Sequence, residues 1–272
     1  MLFLFLLFGV GVAVALYFRL KPAPNRYFSL NEYWVYIPSA KMPPQDELMT
    51  RVLRENPAGS VIGPKEGLLM SDIRLHLALV LKAKNAYLFR PDLFEEHIEP
   101  TAEILHNLAL SQSLVKIRYL SEEPLKNRAN LQLLPHLAAA AARLADGKVI
   151  YDTVAERLYN LEALEAVLSD HRQLDQPQLQ VSIFWKHDEE GVWAVTRGLK
   201  KIGLPELRTK RMDLDQKVLV TSVMNSVVEE LWKREELPDT LTVAEFGDQF
   251  EIHFEAPKSL EFLVEINRIQ TL

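Results

Sequence analysis

The run LFLFLLFGVGVAVALYF, residues 2–18, carries no charged side chain, so as a helix it has no face suited to water. At about 1.5 Å per residue it would extend roughly 25 Å, near the lower limit for crossing a bilayer core. Arg19, Lys21 and Arg26 follow it and nothing basic precedes it. A cleaved secretory signal has the reverse order, with a basic leader first and a small-x-small site afterwards; VAVA within the run is the only stretch that resembles one. The sequence therefore predicts an uncleaved transmembrane anchor over residues 1–19, in contact with the lipid bilayer through residues 2–18. It predicts a single-pass protein of the inner (cytoplasmic) membrane, whose positive flank holds the C-terminal body in the cytoplasm. Gly9 and Gly11 lack the four-residue spacing of a close-packed helix dimer, so they say nothing of oligomeric state.

Residues 20–31, with Pro22 and Pro24, read as a short stiff linker. Beyond it the hydrophobic period switches repeatedly between two and 3.6 residues. EYWVYI (32–37) alternates as a strand does, and Pro43 and Pro44 introduce a helix with Leu48, Val52 and Leu53 inward. In DIRLHLALVLK, Ile73, Leu75, Leu77, Leu79 and Leu81 share one strand face, and His76 takes the other. AYLFR (86–90) reads as a short strand, residues 91–113 as helical, and SLVKIRYL (113–120) as a strand. NLQLLPHLAAAAARLADG is a strong helix with Pro135 in its early turns and Gly147 as its left-handed cap. KVIYD follows as a strand and AERLYNLEALEAVLSDHRQL as a further helical stretch.

After the polar break at 175–177 the order resembles the first half. QLQVSIFWKHDEEGVWAVT reads as a hairpin, RGLKKIG as a helical piece, ELRTKRM as a strand and DLDQKVLVTSVMNSVVEELWKRE as a long amphipathic helix. TLTVAEFGDQFEIHFEA reads as a second hairpin, turning at Gly247 and Asp248. The expected fold class is α+β: an N-terminal transmembrane helix, then two ferredoxin-like α/β halves with mainly antiparallel sheets. The first half spans residues 32–174, including a helical extension, and the second 175–272.

A formal charge of -6 leaves no general basic footprint for a polyanion, so no nucleic-acid partner is expected. The chain has no cysteine, which removes thiol catalysis and cysteine-based zinc sites. Its glycines form neither a phosphate loop nor a dinucleotide fingerprint outside the apolar run, and no serine sits in G-x-S-x-G. His97 and His106 are too far apart to share a metal, so neither cofactor nor metal is expected. His76 with Asp72, and the Asp170, His171, Arg172 cluster, are weaker candidates for acid/base chemistry.

The basic stretch is VTRGLKKIGLPELRTKRM, residues 195–212. Its plainest reading is structural: Lys200 and Lys201 at the negative end of a helical turn, Gly203 as left-handed cap, Pro205 as stop, and Leu199, Ile202, Leu204 and Leu207 as core anchors. A functional reading makes Thr196, Arg197 and Glu206 the polar face of a cleft. Arg208 and Lys210 then line one strand face as an anion-attracting strip, opposite Leu207, Thr209 and Arg211.

The same stretch resembles the hallmark of a broad bacterial family catalogued only as a domain of unknown function. There a Thr-x-Gly-Leu and a Gly-x-Pro-Glu-Leu follow a VS-aromatic strand and precede a long helix. VSIFW (181–185), Thr196, Gly198, Leu199, Gly203, Pro205, Glu206 and Leu207 match that pattern, and AAAAARLADGKVIYD is similar to the family's preceding segment. The resemblance covers about residues 32–256; it implies an α+β fold and a bacterial origin, and brings no activity.

The expected function is a membrane-anchored, cytoplasm-facing, non-catalytic interaction or scaffold protein with a protein partner. One alternative is a toxin-neutralising immunity protein offering acidic surfaces such as HDEEG or EEHIE to a basic effector. A second is a hydrolase or transferase with its site near Thr196, Arg197 and Glu206.

Overall fold

Strand β1 (Ser29–Ile37) is covered on both sides, and its sequence shows how. Tyr33, Val35 and Ile37 enter one apolar cluster, while Tyr36, with Trp34 beside it, enters another. In a strand buried on both faces, the period of two decides which core each residue joins rather than which residues meet water. The computed structural model describes residues 28–55, 74–94, 99–125, 128–170, 174–255 and 261–269.

Around β1 the first sheet has the order β2-β3-β1-β4-β5, with β2 at Leu75–Leu81, β3 at Ser113–Ser121, β4 at Val149–Asp152 and β5 at Arg157–Asn160. Every pairing in it is antiparallel. Helix α1 (Gln45–Glu55) connects β1 to β2, and α3 (Ala129–Leu144) connects β3 to β4. Each helix thus joins two parallel strands separated by a third, a split βαβ layout with β5 added at the edge. These two helices and α4 (Leu161–Asp170) cover one face. The insertion between β2 and β3, with α2 (Ala102–Leu110), covers the other through Phe89, Phe94 and Leu108. There Phe94 meets Tyr151 edge-on at 4.9 Å, and Tyr36 meets Phe89 at 5.4 Å.

Helix α3 belongs to both halves of the molecule. Leu133, Leu134 and Leu137 pack into the first core, whereas Leu131 packs into the second. Pro135 has no N–H for the carbonyl of Leu131, and the Gln180 amide from the second half donates to that carbonyl at 3.4 Å. At the C-terminus the Gly147 N–H bonds the Ala142 carbonyl at 2.7 Å, closing a Schellman turn. Asp146, with φ 53°, takes the left-handed position expected of Gly147. Gly147 is required for space instead: a Cβ there would lie 2.9 Å from the Tyr36 carbonyl oxygen and 3.0 Å from Ile37 Cγ2.

The second sheet has the order β6-β7-β8-β11-β10-β9. Its strands are β6 Ser182–Asp188, β7 Gly191–Arg197, β8 Glu206–Thr209, β9 Thr240–Glu245, β10 Asp248–Glu255 and β11 Glu261–Ile269. The junction of β8 with β11 is parallel and the other pairings are antiparallel. The one-turn helix α5 (Pro177–Gln180) leads into this sheet, and α6 (Lys217–Trp232) lies on one face through Val220, Val223, Met224, Val227 and Leu231. Phe246 and Gly247, with φ 52° and 85°, make the tight turn between β9 and β10.

Several expectations need correction. The second half is not ferredoxin-like: one long helix joins two antiparallel meanders, and a second crossover helix is replaced by the 3-10 turn Leu199–Ile202. AYLFR is not a strand, since Ala86–Phe89 forms a 3-10 turn, and Arg157–Asn160 is strand where helix was expected. The expected anchor at 2–18 and most of the linker lie outside the described residues. Among the described residues no helix is long and apolar enough to cross a membrane. The two longest, α3 and α6, have 16 residues each and spend their apolar faces on the sheets. The transmembrane helix within the expected fold, and the single-pass inner-membrane placement with a cytoplasmic body, are corrected accordingly: the structure is an α+β fold of two sheets.

Gly147→Ala is expected to destabilise the fold by about 1–3 kcal/mol, because the contact is backbone to backbone and relaxes only by moving β1 away from α3. A lower urea midpoint at unchanged slope would report it; an unchanged midpoint would show that the approach is not tight.

Candidate functional site

Thr196, Arg197, Lys201 and Glu206 of the 195–212 stretch come together where the two sheets meet. β7 ends at Arg197, and Gly198 turns the chain with φ 122°. A Cβ at Gly198 would sit 2.1 Å from the Gln180 carbonyl oxygen, so only glycine fits. The turn Leu199–Ile202 follows, closed by Gly203 in the left-handed conformation, and Glu206 opens β8.

Glu206 is buried, and its carboxylate receives four hydrogen bonds. Oε1 accepts from the Gly198 and Lys200 amides at 2.9 and 3.3 Å. Oε2 accepts from Thr196 Oγ1 at 2.9 Å and from the Leu199 amide at 3.4 Å. Thr196 Oγ1 accepts in turn from the Leu207 amide at 2.8 Å. The carboxylate therefore caps the start of the turn, where three amides lack helical partners. Burial raises the Glu206 pKa above the usual carboxylate value, against the lowering effect of these hydrogen bonds and of the Arg197 guanidinium.

Lys201 is the residue that sequence reasoning placed wrongly. It does not sit at a solvated helix end: it is fully buried and reaches the Asp152 carboxylate at 2.5 Å and Gln180 Oε1 at 2.8 Å. Its ammonium lies 5.6 Å from the centre of the Tyr33 ring. Asp152 also accepts from the Val154 and Ala155 amides at 3.2 and 3.0 Å. Burial lowers the Lys201 pKa, with Asp152 opposing that shift, and burial with the same carboxylate raises the Tyr33 phenol. The backbone of Lys201 is tied down as well, its carbonyl accepting from Ser29 Oγ at 2.8 Å.

Two arginines reinforce this joint. Arg157 on β5 donates to Ser182 Oγ at 2.8 Å and to the carbonyls of Gln178, Leu179 and Val181 at 2.9, 2.7 and 2.6 Å. Arg197 donates to Glu156 and Glu261 at 2.8 Å each, not to Glu206. Glu156 adopts φ 51°, an unusual backbone for a residue with a side chain. Arg197, Glu156, Glu206 and Glu261, with Leu30, Thr153, Val154 and Lys200, line a cleft of about 320 Å³ between the halves.

Thr196 and Glu206 thus bond each other with Arg197 beside them, whereas Arg208 and Lys210 do not join them. Those two lie on the outer face of the second sheet. The Arg208 guanidinium stacks 4.8 Å from the centre of the Trp193 ring, and Lys210 pairs with Glu265 at 2.9 Å and Glu255 at 3.3 Å. The expected anion-attracting strip is therefore matched by aromatic and acidic neighbours. His76 and His106 are exposed on β2 and α2, while Asp72, His97, His171 and Arg172 lie outside the described residues. Among the described residues no three acidic or histidine side chains are grouped to hold a metal.

Sequence reasoning missed Lys201, Gln180, Arg157, Glu156 and Glu261, and treated Asp152 only as a strand end. A carboxylate closing the apolar strand VIYD was a legible sign, because a buried charge needs a partner. Nothing in LKKI indicates that the second lysine turns inward. Comparison with family models, curated proteins and solved structures finds no match to this chain.

Lys201→Met should destabilise the protein by about 3–5 kcal/mol, since it leaves the buried Asp152 carboxylate without its cation. Adding Asp152→Asn, which keeps an oxygen for the Val154 and Ala155 amides, should recover a large part of the loss. A double-mutant cycle in urea measures this coupling.

The raised Glu206 pKa implies that its protonation favours the native state. Its contribution is fully present below the unfolded pKa and is lost as pH rises through the folded one. The stability difference between wild type and Glu206→Gln should therefore shrink from pH 4 towards pH 8, with Gln less stable throughout because its NH2 faces amide donors. A difference independent of pH would refute that linkage.

Proposed function

We propose that the protein is a non-catalytic interaction protein, and that its 195–212 stretch is the joint of the fold rather than a reaction centre. One observation carries this reading: both Glu206 oxygens are each engaged by two donors of the fold. A carboxylate whose acceptor sites are so engaged is committed to holding the turn, and a substrate would have to displace one of these donors to reach it. Thr196 Oγ1, the nearest hydroxyl, donates to Glu206 and accepts from Leu207, so it lacks the free base that a nucleophile requires.

The joint also gives the family resemblance a physical basis. Thr196 and Glu206 bind each other, Gly198 passes under Gln180, Gly203 caps the turn, and Leu199 and Leu207 fill the second core. Membership of the uncharacterised bacterial family is proposed on those residues. The narrower toxin-neutralising reading finds less support in the HDEEG turn, where Arg211 pairs with Asp188 at 2.5 Å and with Glu190 at 3.2 Å. The hydrolase or transferase reading has one observation in its favour, a buried carboxylate of raised pKa beside a cleft.

Thr196→Val separates these readings. It removes one hydrogen bond to Glu206 and should cost about 1 kcal/mol of stability. Quantitative cross-linking of the full-length protein should recover the same stoichiometric partner from the variant as from wild type. Turnover of a substrate by wild type that Thr196→Val abolishes without loss of folded protein would overturn the non-catalytic reading.

A further inference from the structure

A second concavity, of about 550 Å³, lies on the other side of Lys200 from the cleft at Glu206. Its floor is apolar, made by Phe28 before β1, Leu204 after the turn, Leu237 in the loop after α6, and Phe254 and Phe262 from β10 and β11. Phe28 is 42% exposed, so part of this surface is open to solvent. The prolines Pro124, Pro205 and Pro238 on the rim have no N–H, so a ligand gains few backbone hydrogen bonds there and must be held by its side chains.

The charge on the rim is one-sided. Among the described residues Glu235, Glu236 and Asp239 border the groove, against the ammonium of Lys200. Six other carboxylates around the second sheet are matched by cations: Glu255 and Glu265 by Lys210, Glu156 and Glu261 by Arg197, Asp188 and Glu190 by Arg211. Among the described residues no cation pairs with Glu235, Glu236 or Asp239. These three carboxylates stand together around an apolar floor. The complement of such a surface is a chain segment whose basic side chains flank an apolar one.

We propose that this groove is where the protein binds its partner, through an extended basic segment of the partner with an apolar side chain seated over Phe254 and Phe262. The assignment rests on the interaction-protein reading and names the partner's chemistry. It uses neither Thr196, Arg197 nor Glu206. Electrostatic attraction at the rim speeds encounter and weakens with salt, and the apolar floor sets the register of the bound segment.

The test uses the full chain and fluorescence anisotropy, with a labelled nine-residue probe carrying arginines on both sides of a central leucine. Glu235→Gln/Glu236→Gln/Asp239→Asn should weaken binding by about tenfold or more, as should replacing the probe's arginines with glutamines. The control Glu103→Gln/Glu162→Gln, which neutralises exposed carboxylates on α2 and α4, should leave binding unchanged. Absence of binding to the wild-type chain, or equal binding to the triple variant, overturns the assignment. So does a concentration-dependent dimer that the triple variant loses, which would give the groove to a second copy of the chain. Cross-linking keeps the two ideas apart. A stoichiometric partner held equally by wild type and triple variant sinks the groove and spares the interaction-protein reading. Substrate turnover with no partner sinks that reading itself.

Discussion

The contact on which the arrangement turns is the buried ion pair of Lys201 and Asp152. Each charge is fully withdrawn from water and neither would be tolerable there alone. Gln180, the Val154 and Ala155 amides and the Tyr33 ring complete their shells, so the desolvation cost is shared among groups from both sheets. A hydrophobic contact of the same size would hold the halves together in many nearby orientations. An ammonium that must meet one carboxylate at one angle selects among them. On this view the pair contributes specificity of docking more than net stability, and the Arg157 clamp on residues 178–182 serves the same end.

What was legible in the sequence follows from how local each cause is. The hairpin of β6 and β7, the helix α6 and the left-handed Gly203 depend on neighbouring residues, and their signals lie within short windows. Strand β5 was read as helix because RLYN runs directly into the helical LEALEAVL, and only pairing with β4 separates the two. Strand β11 was not foreseen, since it completes the sheet beside β8, more than fifty residues earlier in the chain. The convergence of Thr196, Arg197 and Glu206 was legible from their closeness along one turn. Their partners were not, because Glu156 lies 41 residues before Arg197 and Glu261 lies 64 residues after it.

The basic stretch is basic because its cations answer separate partners. Five of its cations have separate employments: Arg197 bridges two carboxylates, Lys201 is buried, Arg208 lies on Trp193, and Lys210 and Arg211 answer acidic neighbours. A run that looks like one patch in sequence is dispersed by the turn at Gly198 and the alternation of β8. The acidic groove nearby is bordered by Glu235, Glu236 and Asp239 from a loop whose sequence, EELPD, is unremarkable by composition.

The parallel junction of β8 with β11 has a consequence for biogenesis. Among the described strands β11 comes last in chain order, yet it lies in the interior of the second sheet, between β8 and β10. During synthesis the meander of β6, β7 and β8 and the hairpin of β9 and β10 emerge with facing edges that have no common neighbour. Until β11 is released by the ribosome, those two open edges stay available for pairing with another copy.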